Sequence, residues 1–117
     1  MKQDYDYLTD SLFLYSDEEY RYKKSVRITA DVILDFDQDD VPVALELLNA
    51  SKILHVKKSS LNEPVGLDMQ ICVGEDTIKL EGIFFISIHK KEIPKSLNKE
   101  TPNRTNLTAS GAHFATA

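Results

Sequence analysis

"DVILDFDQDDVPVALELLNAS", residues 31–51, carries the reading that decides the fold. In its first half Val32, Leu34 and Phe36 recur at every second position, and in its second half Val41, Val43, Leu45 and Leu47 do the same. That period puts one set of side chains on each face of an extended chain. Two such runs around "DQDD" predict a β-hairpin with an acidic tip. In it Asp37 accepts turn hydrogen bonds, Asp40 takes a left-handed conformation, and the acids stay solvated.

The same stretch invites a metal reading, because Asp35, Asp37, Asp39 and Glu46 stand at the first, third, fifth and twelfth positions of an EF-hand loop. Asp40 occupies the sixth position, where a glycine makes the sharp turn, and the flanks alternate as strands rather than forming helices. The four acids are therefore weak candidates for a cation. Asp35 and Glu46 should share the face opposite Leu34 and Leu45, but acid-base work needs a pocket that raises one pKa. No such pocket is predictable, so the pair reads as the wet face of a sheet.

Working outward, "SLFLYS" at 11–16 reads as a strand entered from a turn at Thr9 and Asp10, with Phe13 in the core. "SDEEYRYKK" reads as a charged loop, and Val26 and Ile28 as a short strand. After Leu48 the alternation stops. Asn49 and Ser59 can each cap a helical turn, and Pro64 ends the segment, so one or two short helices are expected there. From Val65 the period returns: Val65, Leu67, Met69, Ile71 and Val73 share a face, "GED" at 74–76 turns the chain, and Ile78, Leu80, Phe84, Ile86 and Ile88 share the face that follows. Ile83 and Phe85 make the second half of this strand apolar on both sides, which predicts burial by core on one side and by core or a partner on the other. From Ile93 onward Ser, Thr, Asn and Pro dominate without periodicity, and the segment reads as a disordered tail. The expected fold is α+β and mainly β: an antiparallel sheet of hairpins with one or two short helices between them, as a single domain over 1–92 followed by a tail over 93–117.

Composition narrows the function. The chain has 117 residues and a formal charge of -5, with 42% hydrophobic and 28% charged residues, which suits one domain with one core. Residues 1–40 hold eleven Asp or Glu against five Lys or Arg. Direct nucleic-acid binding, which needs a basic patch, is therefore not expected. A lone cysteine, Cys72, excludes an internal disulfide and points to a reducing, cytoplasmic setting. The N-terminus has no apolar signal region, and the longest apolar run, "GIFFISI" at 82–88, is far shorter than a membrane span. Four unclustered glycines make no phosphate-binding loop. His55, His89 and His113 are too dispersed to read as a metal triad. No catalytic residue and no cofactor is expected. Five tyrosines fall in the first 22 residues, interleaved with acids, so contact with protein is favoured over base stacking.

"YDYLTDSLFLYS", "ADVILDFDQDD" and "VALELLNAS" follow one another in an order that resembles the DUF2283 family of small prokaryotic proteins. Its pattern is roughly Y-D-x-x-x-D-x-L-Y-I, then G-V-I-V-D-x-D-x-D-G, then V-G-I-E-I-L-D-A-S. The likeness covers about residues 5–51 and is most specific from Val32 to Ser51; residues 52–90 are similar to a longer form of the family. Asp40 replaces the turn glycine, Ala44 a second glycine, and Asn49 the aspartate of D-A-S. The resemblance implies a compact antiparallel sheet with a helix and no established activity. Some relatives look like the second gene of toxin-antitoxin pairs, which implies a protein-binding partner. The expected function is thus a noncatalytic interaction module that binds itself as a homodimer or a small protein. Tyr20, Tyr22, Ile83 and Phe85 are its interface candidates. An acidic domain binding a cation or small ligand is the alternative.

Overall fold

The structure, a computed structural model, describes residues 1–116. Among the described residues nine strands form two antiparallel sheets. The first contains β1 (Lys2–Asp6), β2 (Ser11–Tyr15), β3 (Tyr22–Thr29), β4 (Val32–Asp37) and β5 (Pro42–Leu47), in the order β1-β2-β5-β4-β3. The second contains β6 (Gly66–Val73), β7 (Thr77–Ile88), β8 (Lys91–Pro102) and β9 (Ser110–Ala115), in the order β8-β7-β6-β9. Between them run a single helical turn, α1 (Ala50–Ile53), and a 3-10 turn at Lys58–Leu61. The fold is mainly β, as the period-2 runs require.

Each sheet buries one face against the other. Leu12, Leu14, Val32, Leu34, Phe36, Leu45 and Leu47 from the first join Leu67, Met69, Ile71, Ile78, Leu80, Phe84 and Ile86 from the second in one apolar cluster. Alternation along each strand assigns these residues inward and their neighbours outward. Phe13, expected in the core, lies instead on the outward face with Ser11 and Tyr15, because Leu12 and Leu14 take the inward positions; its ring stacks on Tyr15 at 5.0 Å.

The segment after Ile93 is not a disordered tail. β8 pairs with β7 over twelve positions and β9 pairs with β6, placing Leu97, Leu107 and Phe114 in the core. Its polar composition belongs to two edge strands, which bury few side chains and keep charges along their exposed rims. The ordered unit therefore runs well past residue 92.

Two ties join the sheets. The Gln3 amide donates to the carbonyl of Val65 at 2.9 Å and accepts from its N–H at 2.8 Å, clipping β1 to the approach to β6. The second tie is made by Asp40.

Candidate functional site

The hairpin tip forms as the sequence suggests, and its acids are separated by what each is doing. Asp37 Oδ1 accepts the N–H groups of Asp39 at 2.8 Å and Val41 at 3.0 Å. Asp40 has φ 60°. It is not solvated, contrary to expectation: it is 8% exposed, accepts from Lys23 Nζ at 2.7 Å and from the Thr108 N–H at 3.0 Å, and its carbonyl accepts from Ser110 Oγ at 3.2 Å. The missing turn glycine is thus replaced by an aspartate that reaches across to the β8–β9 loop. Lys23, followed by the Thr108 amide, lowers its carboxyl pKa to about 2. Asp35, opposite Ala44, accepts from Ser25 Oγ at 2.6 Å, while Glu46 stands opposite Ile33 and Phe13, diagonal to Asp35 on the outward face. No three His, Cys, Asp or Glu side chains converge on a cation position among the described residues.

A different aspartate forms the tightest polar cluster. Asp10, 7% exposed with φ 55°, accepts from Tyr5 Oη at 2.7 Å, from Ser51 Oγ at 2.7 Å and from the Ser51 N–H at 3.1 Å. Its carbonyl accepts the Ala50 N–H at 2.9 Å. Burial pushes the Asp10 carboxyl up, but the hydrogen bonds from Tyr5 and Ser51, with help from Lys58, outweigh it and hold the pKa below its ordinary value. The Tyr5 hydroxyl is pushed up, by burial and then by its bond to Asp10. Asn49 precedes α1 but makes no side-chain cap, and its amide donates to Asp31 instead. The first turn is capped from 41 residues away by Asp10. This explains why the second aspartate of Y-D-x-x-x-D, Asp10, and the closing Ala50-Ser51 belong to one pattern: they are a single structural clamp.

The four interface candidates do not share a surface. Tyr22 is 52% exposed on the outward face of the first sheet, where its hydroxyl meets Ser25 Oγ at 2.7 Å. Tyr20 is half-buried in the preceding loop, its hydroxyl pKa raised by burial and then by the nearby Asp35. Ile83 and Phe85 lie on the outward face of the second sheet. Ile83 is 37% exposed, and Phe85 is half-buried over Gly66 with Pro94 opposite it on β8. Cys72 is exposed on the same face, where His113 Nε2 meets Asp68 Oδ1 at 2.6 Å.

The description "protein of unknown function (DUF2283)" fits residues 2–51, the whole first sheet and the start of α1. A Methanosarcina mazei protein named "Putative hypoxanthine phosphoribosyltransferase" is 31% identical over 109 residues, 93% of this chain and 87% of that one. The chain belongs to the DUF2283 family. A second relative, an uncharacterized protein of Methanocaldococcus jannaschii, is 34% identical over 96 residues, 81% of each chain. No solved structure matches this DUF2283 chain. Among the described residues no helix is long and apolar enough to cross a membrane.

Proposed function

We propose that this DUF2283 protein is a noncatalytic, cytoplasmic interaction module whose binding surface is the outward face of the second sheet, with a second copy of the chain as its first partner. The observation that carries this reading is the uncovered apolar pair on β7. Ile83 is 37% exposed and Phe85 is half-buried, on a face that no other element covers among the described residues. Because Ile83 is 37% exposed and Phe85 less so, covering them recovers about a third or less of the roughly 1.5 to 3 kcal/mol that full transfer from water gives each side chain. A two-fold contact uses each of them twice. The toxin-partner form of the same reading has a small toxin on this face in place of the second copy.

Light scattering over a dilution series from about 5 to about 200 μM tests the homodimer, since this range brackets micromolar self-association. The expected result is a mass that doubles with concentration and returns to that of one chain in Ile83→Lys. A strict monomer at every concentration, with Ile83→Lys equally well folded, would remove the homodimer.

A further inference from the structure

Two open sheets leave four edge strands among the described residues: β1, β3, β8 and β9. An exposed edge invites another chain to pair with it, and native sheets blunt it with charges, prolines or bulges. Three of these edges are blunted. β1 carries Lys2, Asp4 and Asp6, while β3 carries Lys23, Lys24 and Arg27 and shifts register twice against β4. The charge along the rims of the second sheet lies on β8, as Lys91, Lys95 and Lys99 with Glu92 and Glu100. Counted from the Ile88–Lys91 pair that closes its two-residue turn, Pro94 and Pro102 of β8 fall where the amide faces away from β7. β9, "SGAHFA", has none of these devices: no proline, no Lys, Arg, Asp or Glu, and no shift in its register against β6.

The hydrogen bonds of β9 show which of its backbone groups are left for a partner. The Thr116 N–H donates to the Leu67 carbonyl at 3.0 Å, continuing the register that sets Phe114 opposite Met69. Bonded pairs recur at every second position, so Phe114, Ala112 and Ser110 turn their backbone toward β6, and Gly111, His113 and Ala115 turn theirs away. These last three residues are exposed. A groove of about 300 Å³ runs beside them. Ala112 and Phe114 from the inward face and His113 from the outward face all line it, so it follows the edge itself. Its far wall belongs to the first sheet and its loops, where Glu18, Glu19 and Asp37 stand with Tyr20 and without a lysine or arginine. The adjoining groove over Glu18 and Glu19 adds one lysine, Lys2, and Asp17, which the terminal amine holds at 3.0 Å. Pro42, Val43 and Phe114 are buried, so what the groove presents is backbone groups and carboxylates.

We propose that the free edge of β9 is a docking site for one extended segment of a basic partner protein, which joins the second sheet as its fifth strand. The main chain of the segment bonds to Gly111, His113 and Ala115, and lysine or arginine side chains at alternate positions meet Glu18, Glu19 and Asp37. In strand addition of this kind the backbone bonds give affinity and the side chains on one face give selection. The net charge of -5 steers a basic partner toward the groove. A second copy of the chain does not suit this edge, because pairing two β9 strands brings their acidic walls together, and like charges facing each other weaken an interface. The edge is separate from the Ile83 face, since Ile83 and Phe85 lie on β7 with β6 in between.

Titration of the isotope-labelled full chain with three capped heptapeptides tests this, read by amide chemical shifts and hydrogen exchange. One peptide alternates lysine with valine, one alternates glutamate with valine, and the third is the lysine peptide N-methylated at its valine amides, which are the ones that face β9. The lysine peptide should give saturable shifts at Gly111, His113 and Ala115 and slow exchange of their amides about tenfold, while Ala112 and Phe114, already bonded to β6, change little. The glutamate and N-methylated peptides should each bind at least about tenfold more weakly. The Glu18→Gln, Glu19→Gln double variant should weaken the lysine peptide about tenfold with Tm unchanged. Ala115→Pro should do the same, since the amide it removes bonds to no strand. Absence of saturation by the lysine peptide up to about 10 mM, equal binding of its N-methylated form, or shifts centred on β1 or β3 would overturn the proposal. Exchange at Gly111, His113 and Ala115 that slows with protein concentration alone would also overturn it, by showing that a second copy pairs there.

Discussion

Asp10 and Asp40 are aspartates in left-handed backbone, both largely out of water, and each ties its turn to an element far along the chain. Removing Asp10 leaves the Tyr5 hydroxyl and two Ser51 donors facing a gap, so Asp10→Ala should lose about 3 kcal/mol in urea unfolding. Tyr5→Phe should lose about 1 kcal/mol, and the double variant less than the sum, because both remove the same bond. Asp40 has a folded pKa of about 2 against an ordinary 3.8, so its contribution is fully present above the ordinary value and is lost as pH falls through the folded one. Wild type and Asp40→Asn should therefore differ in urea midpoint at neutral pH and converge as pH approaches 2; a difference that persists there would remove Lys23 and Thr108 as the cause. Asp37, whose Oδ1 is occupied by two turn amides, leaves no assembled loop for calcium. Millimolar calcium should leave Tm unchanged, and an affinity tighter than about 10 μM would contradict the hairpin reading.

β4, β5, β6 and the first half of β7 were legible because a strand buried on one face writes its burial into alternate positions. β1 and β8 were not, because an edge strand need bury almost nothing: Lys95 and Lys99 stand on the inward side of β8, and only Leu97 between them is fully buried. The clamp on α1 was illegible for another reason, since Asn49 offered a local cap while the actual one comes from Asp10 in a distant turn. The groove between α1, the β3–β4 turn and β8 has no linear signature, because Asp31, Lys52, His55 and Lys99 line one place only once β8 is ordered. Deleting residues 93–117 should accordingly abolish cooperative unfolding, since it removes Leu97 and Phe114 from the core and bares β6 and β7; a truncated chain that still melts in one sharp transition would return the segment to the status of a tail. Gly82 tests the same sheet from inside. A Cβ there would lie 2.6 Å from the Asp68 carbonyl oxygen and 2.7 Å from Met69 Cα, both backbone atoms that cannot swing aside. Gly82→Ala should cost about 2 to 3 kcal/mol by chemical denaturation, although alanine is ordinarily tolerated in a strand.

The family match over residues 2–51 and the first sheet coincide, yet the core belongs to both sheets together. Leu12, Leu14, Val32, Leu34, Phe36, Leu45 and Leu47 are each no more than 1% exposed, and what covers them comes largely from β6 to β9. Baring those seven side chains forfeits about 10 to 20 kcal/mol at 1.5 to 3 kcal/mol each, as much as or more than the 5 to 15 kcal/mol by which a domain is stable. The Gln3–Val65 and Asp40–Thr108 ties would be lost in the same cut. A break between Lys57 and Lys58, in the linker after α1, should therefore yield two fragments of which neither unfolds cooperatively as a monomer. Mixed together they should regain the near-ultraviolet circular dichroism of the intact chain, because the ties and the interlocked faces re-form without the covalent link. A fragment of residues 1–57 that stayed monomeric and melted in two-state fashion alone would show that the family unit carries its own core and that the second sheet is an addition to it.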